Sequence, residues 1–274
     1  MYNIVDLTHL KWGNTRNNGA SYGCYMKTSE IINGTKWYYK LSNYNSAIGF
    51  YGDESVYEVI SSRLLRHLGF NCLKYELIKV KVNVHNVDYV TFGCKSKNYF
   101  TTRYDGRMTF ENLREMYMDL TVEEVIDKFK LCESIRKMII ADFITIGRDR
   151  HGGNIEILTK GQNKIMAPLF DNGLSFVCSI TQNLSDFKER LKKFETLDDF
   201  RVNNYIGSQS LYDNLKYINK PIEVNRLTKK DKVKIFYSMK EVLPKEYIDK
   251  IWEIITYRYV FLRQKGFIVE RTNC

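Results

Sequence analysis

The sequence predicts an α+β chain of two lobes, a small β-rich one over residues 1–105 and a larger helical one over residues 106–274. Three observations predict it. Up to about residue 105, β-branched and aromatic runs alternate with turn signals. From about residue 106 onward, apolar residues recur at helical spacing. Between them, residues 98–105 carry neither pattern and read as a hinge, which makes the cleft between lobes the expected place for a ligand.

In chain order, Tyr22–Thr28 and Thr35–Leu41 carry strand bias. Asn33-Gly34 between them is a hairpin signal, because both residues tolerate positive φ. Asp53–Leu68 reads as a helix, with Val56, Val59, Ile60, Leu64 and Leu68 on one face and Gly69 as its stop. Leu73–Val82 and Val87–Cys94 read as two more strands. Thr121-x-x-Glu124 is a capping box and opens a predicted helix running to about Phe143. Asn154–Leu158 and Lys164–Ala167 are expected to form a short hairpin with Gly161 in its turn. The tail predicts helices over Ser208–Tyr217, Thr228–Val242 and Lys245–Gln264, the last with a core stripe of Ile248, Ile251, Trp252, Ile255, Tyr259 and Leu262.

Composition narrows the function classes. At 44% hydrophobic and 27% charged the chain is an ordinary globular protein with room for a sizeable core. The first twenty residues hold no apolar signal region. The longest apolar run, Met138–Gly147, is broken by Asp142 and too short to span a bilayer. A cytoplasmic protein with no membrane partner is expected. The six cysteines are scattered without a CxxC pair, so reduced thiols or small core residues are expected rather than disulfides or zinc. The net charge of +10 fits a lysine-rich solvated surface. The densest basic cluster, Lys229 to Lys234, is interrupted by Asp231 and Val233, so no specific nucleic-acid binding is expected.

The segment Gly147-Arg148-Asp149-Arg150-His151-Gly152-Gly153-Asn154, followed by Leu169-Phe170-Asp171-Asn172-Gly173, carries the chemistry. An Asp, an Asn five residues on and an Asp seventeen further supply the parts that phosphoryl transfer from a nucleotide needs. Asp149 can meet an acceptor hydroxyl and its proton. Asn154 and Asp171 offer oxygens to magnesium, which is content with two protein ligands plus waters and phosphate. A loop salt bridge of Asp149 with Arg148 or Arg150 is the bland alternative. His151 has no second zinc-ligand residue nearby and is expected to support the loop or touch phosphate. Lys40 shares a strand face with Tyr38 and is placed to reach phosphates. Its expected carboxylate partner is Glu58 on the next helix, with Glu54 as competitor. The small residues of Gly19-Ala20-Ser21-Tyr22-Gly23 would let backbone N–H groups approach phosphate oxygens. Thr102-Arg103-Tyr104 falls where an extended hinge would offer backbone groups to adenine.

These two motifs resemble the catalytic and metal motifs of HipA-like serine/threonine kinases, over residues 13–180 and more loosely into the tail. The resemblance implies a divergent protein-kinase-like bilobal fold and an ATP- and Mg2+-dependent kinase acting on Ser or Thr of a protein. By it, Asp149 is the catalytic residue, Asn154 and Asp171 bind magnesium, Lys40 contacts ATP, and the hinge falls at Thr102–Tyr104. The Gln and Lys typical of the family's phosphate loop are lacking, with Lys27 as the nearest replacement, and Ser21 is a candidate for autophosphorylation. The family is best known from toxin–antitoxin pairs. The chain is expected to lack the extra N-terminal subdomain that helps long toxins engage an antitoxin, so an antitoxin-like partner is the weakest of these implications. The D-R-H-x-x-N and D-x-G pattern is also similar to that of phosphoinositide kinases. A small-molecule or lipid kinase, or a non-catalytic pseudokinase, are the rival readings.

Overall fold

The computed structural model describes residues 2–15, 22–178 and 187–271. Their first part is built on a seven-stranded sheet of β1 (Ile4–Asp6), β2 (Gly13–Thr15), β3 (Tyr22–Ile32), β4 (Thr35–Asn45), β5 (Gly49–Tyr51), β6 (Tyr75–Val84) and β7 (Val87–Lys97). The order is β1-β6-β7-β4-β3-β2, with β5 on β4. β1 runs parallel to β6, and the other pairs are antiparallel. Asn33 and Gly34 both take positive φ at the β3–β4 turn, as the two-residue hairpin demands. One sheet face buries Leu7, Met26, Leu41, Val80, Val82 and Val84 in a small core of their own. The other receives helix α1 (Glu54–His67), whose Val56, Val59, Ile60 and Leu64 enter the main core.

The capping box at Thr121 forms as expected, but the predicted single helix is two: α3 (Val122–Lys128) and α4 (Cys132–Thr145) follow the short α2 (Phe110–Glu115). Lys130 adopts φ 55° between α3 and α4 and breaks the ladder. The apolar periodicity continues across the break because both pieces face one core, through Val125, Ile126, Ile135 and Met138. After α4 come β9 (Asp149–Arg150), a tight 3-10 turn at 152–154, and the hairpin β10 (Glu156–Lys160) with β11 (Asn163–Met166). β10 also pairs with β8 (Gly106–Thr109).

The tail departs from the predicted helices in two places. Ser208–Tyr217 yields only α6 (Leu211–Asn214) and a 3-10 turn, after α5 (Phe187–Lys192) and β12 (Asn203–Asn204). Thr228–Val242 yields α7 (Asp231–Ile235), because Ser238 at φ 61° interrupts it. The third, α8 (Lys245–Gln264), has the expected bounds. Its Arg258 is fully buried, donates to the carbonyls of Thr196 and Phe143, and lies 4.8 Å over the Phe143 ring. Strands β13 (Ile222–Val224) and β14 (Ile268–Glu270) pair in parallel. Asn225 caps the end of α1, its N–H and amide donating to the carbonyls of Leu68 and His67. Cys72, Cys94 and Cys178 are buried core residues. Among the described residues no helix is long and apolar enough to cross a membrane.

Asp53, at the N-terminus of α1, has a carboxyl pushed up to about 7, by burial first and then by the Glu54 charge. A folded-state value above the unfolded one means that the native state holds the extra proton between about pH 4 and pH 7. Stability from this group is therefore present below that window and lost as pH rises through about 7. Asp53→Asn is expected to flatten the fall in melting temperature between about pH 4 and pH 7. Thermal denaturation across that range checks it.

Candidate active site

Lys40 sits near the middle of β4 with its side chain almost wholly buried, over the Tyr25 ring at 4.8 Å. Its ammonium is 3.6 Å from a Glu58 oxygen and donates a short hydrogen bond to Asp171. Burial alone would lower the Lys40 pKa. The Asp171 and Glu58 charges outweigh it and hold the ammonium above its ordinary value. Burial raises the Glu58 carboxyl, and Lys40 opposes that rise. Of the two glutamates weighed from sequence, Glu58 is the one that faces Lys40. Glu54 instead accepts from the Asn43 amide at 2.6 Å and from its backbone N–H at 3.3 Å.

Asp171 is brought to Lys40 by backbone pairing. The Leu169 N–H donates to the Asn71 carbonyl, and the Leu73 N–H to that of Leu169, so the strip before Asp171 is pinned just beyond α1. Asp171 itself adopts φ 57°, a region that Asp tolerates better than most residues. The other loop leaves α4 through Ile146 at φ 53°, a strained conformation for a buried β-branched side chain. Gly147 follows, where a Cβ would stand 2.7 Å from the Asp142 carboxylate. Only glycine lets the chain pass that close.

One buried side chain ties the loops together. Arg150 donates to both Asp142 oxygens, at 3.1 and 2.7 Å, to the carbonyls of Asn154 and Phe170, and to the Asn172 amide oxygen at 2.8 Å. Arg150 and Asp142 are both almost inaccessible. Burial would lower the Arg150 pKa, but the Asp142 carboxylate more than compensates and raises it. The Asp149–Arg150 salt bridge considered from sequence is absent. Arg150 turns inward to Asp142, while Arg148 donates to the Phe176 carbonyl and lies over the Phe200 ring.

Asp149 is half-exposed at the rim, where the Asn203 amide donates to its Oδ1 at 3.2 Å. β12 pairs in parallel with β9 and places Asn203 opposite Asp149. The His151 Nε2 is 3.8 Å from the other Asp149 oxygen, and its Nδ1 accepts the Gly153 N–H. Asn154 is buried, its amide N–H donating to the Asp149 carbonyl at 2.9 Å.

The cleft in front of Lys40 has a volume of about 380 Å³. Lys27, Lys36, Lys40, Lys97 and Arg107 line it against the acids Glu156 and Asp171, which suits a polyanion. Apolar and aromatic surface comes from Tyr38, Leu73, Tyr99, Met108 and Phe170, with the Tyr99 and Phe170 rings stacked at 6.0 Å. Thr102, Arg103 and Tyr104 do not line it. They form an exposed turn; of the hinge expected over residues 98–105, Asn98 and Tyr99 line the cleft beside Ser96 and Lys97. The reason is the length of β7, which runs to Lys97 and carries the cleft edge before the chain turns away. Gly19, Ala20 and Ser21 lie outside the described residues; Tyr22 and Gly23 open β3.

Among the described residues no three His, Cys, Asp or Glu side chains gather to enclose a metal. The Asn154 and Asp171 pair offers one amide and one carboxylate oxygen. That donor set fits magnesium, which keeps waters and takes phosphate oxygens, and does not fit zinc. Sequence reasoning missed Arg150 as the link between loops and Asn203 beside Asp149. Asp142, a lone charge inside the apolar stretch of α4, was the one signal that a buried cation had to be near.

Together, β-sheet, α1, and the two loops on a helical base make a bilobal protein-kinase-like α+β fold. It is similar to the crystal structure of a Helicobacter pylori proinflammatory kinase, CtkA, with a TM-score of 0.64 and 17% identity over 97% of this chain and 97% of that one. No family model matches the sequence. No curated protein matches it either.

Proposed function

We propose that the protein is an ATP- and Mg2+-dependent phosphotransferase of HipA-like type whose acceptor is a Ser or Thr hydroxyl of a protein. The observation that carries the reading is Lys40 held between Glu58 and Asp171 at the floor of a cation-rich cleft. The similar fold of a protein named as a kinase supports it.

In this reading Lys40, assisted by Lys27, neutralises phosphate oxygens. Asp149 orients the acceptor hydroxyl and takes its proton. The hydroxyl oxygen bonds to the γ-phosphorus as the bond to the bridging oxygen breaks, and ADP leaves. Asn154 and Asp171 would hold magnesium, which supplies charge neutralisation along the phosphates. Arg150 keeps the two loops in register. The base would stack in the Tyr99 and Phe170 region, with Thr102, Arg103 and Tyr104 making no contact.

That last point is testable by nucleotide titration. Tyr99→Ala is expected to weaken ATP binding by about tenfold, in the range of an aromatic–base stack. Arg103→Ala should leave it unchanged, and the reverse ranking would move the base to the outer turn. The function itself is tested by transfer of label from γ-labelled ATP to Ser or Thr, with Asp171→Ala as the inactive control.

A further inference from the structure

A second cavity, of about 590 Å³, lies against the C-terminal half of α1. Its wall is built from the C-terminal half of α1, the start of β6, and the end of α7 with the turn after it, Lys234–Ser238. Four permanent cations line it, Arg63, Arg66, Lys74 and Lys234, against the single carboxylate Glu76. His67 joins them, and Arg63, Arg66 and His67 fall on one face of the helix. Aspartates and glutamates do stand nearby. Asp231 is 3.5 Å from His67 and 3.8 Å from Lys234, and Glu76 is 3.1 Å from Lys74. The cations of the lining still outnumber them.

The two guanidiniums are fixed in place. The Arg63 Nη1 donates to the carbonyls of Ile235 and Tyr237, and the Arg66 Nη1 to that of Cys72. Lys74 and Lys234 extend from the rim with most of their side chains in solvent. Two positioned guanidinium forks with two mobile ammonium groups suit a phosphoryl group better than a lone carboxylate.

Tyr75 lines both this cavity and the cleft. Its N–H donates to Ser62 Oγ, which in turn donates to the Leu73 carbonyl, so the residue is fastened to α1. Its phenol faces Glu58, the partner of Lys40. A ligand seated against Arg63 and Arg66 would therefore bear on the helix and tyrosine that position Glu58.

We propose that this cavity is an anion site for a phosphoryl group, and that its occupation steadies α1 and through it the Lys40–Glu58 pair. The site does not depend on whether the cleft transfers phosphate. The phosphoryl group would come from a free polyphosphate or from a phosphorylated segment of a protein.

Hydrogen exchange with mass spectrometry on the full chain tests it, with inorganic pyrophosphate and a phosphoserine-centred acidic peptide as separate probes. Slower exchange is expected over residues 59–67 and 233–238 with at least one probe. The tighter-binding probe identifies the source. The double variant Lys74→Glu, Lys234→Glu changes only rim side chains, so its fold should hold. It is expected to abolish that protection, with any that reaches Glu58 and Lys40, and to weaken the probe by about tenfold or more. Protection confined to the cleft, protection that survives the double variant, or none from either probe would overturn the proposal.

Discussion

Asp149→Asn is expected to lower the phosphotransfer rate by about 10²–10⁴-fold. ATP affinity and the melting temperature should barely change. The size follows from the role proposed for the carboxylate, which is to accept a proton that an amide cannot take. The selectivity follows from position. Asp149 is half-exposed at the rim, its backbone is held by the β9–β12 pairing, and its carbonyl receives the Asn154 amide whichever side chain is present. A loss of rate through weaker ATP binding would contradict this placement. Steady-state kinetics with a separate nucleotide titration separates the two. Asn203→Ala, which removes the amide donated to Asp149 Oδ1, should lower the rate in the same sense but less.

Arg150→Met is expected to have the largest effect on stability. It leaves Asp142 buried without its cation and five hydrogen bonds unmade. Breaking a buried pair from one side costs about 3–5 kcal/mol. For a chain of this size that corresponds to a fall in melting temperature on the order of 10 °C. The companion Asp142→Leu, Arg150→Met removes both charges and should recover much of the lost stability, since apolar replacement of a buried pair is often tolerated. It should not recover activity, because nothing then links the Asn154 and Phe170 carbonyls. Stability and rate returning together would show that Arg150 serves only the fold. Calorimetry with a rate measurement on both variants reads the difference.

Much of this was legible in the sequence where a local rule decides the structure. The Asn33-Gly34 turn, the Thr121 capping box and the bounds of the final helix each depend on near neighbours along the chain. The joint spacing of Asp149, Asn154 and Asp171 was visible because the two loops that carry them are short and close in sequence. Where the rule was non-local, it failed. The helix expected to run from Thr121 splits at Lys130, and that from Thr228 at Ser238, because each adopts positive φ that no local signal marks. Of the hinge expected over residues 98–105, only Asn98 and Tyr99 line the cleft, because β7 runs on to Lys97 and Thr102–Tyr104 turn outward. A loop salt bridge of Asp149 with Arg148 or Arg150 was the alternative the sequence left for Arg150. Only the fold shows that it reaches Asp142 on α4 and crosses to the Asp171 loop.

The most direct test is incubation of the purified protein with γ-labelled ATP, magnesium and candidate protein acceptors, beside the Asp149→Ala and Asp171→Ala variants. The account predicts label on Ser or Thr with the unaltered protein and none with either variant. Failure to bind ATP, or equal labelling by all three proteins, would contradict it.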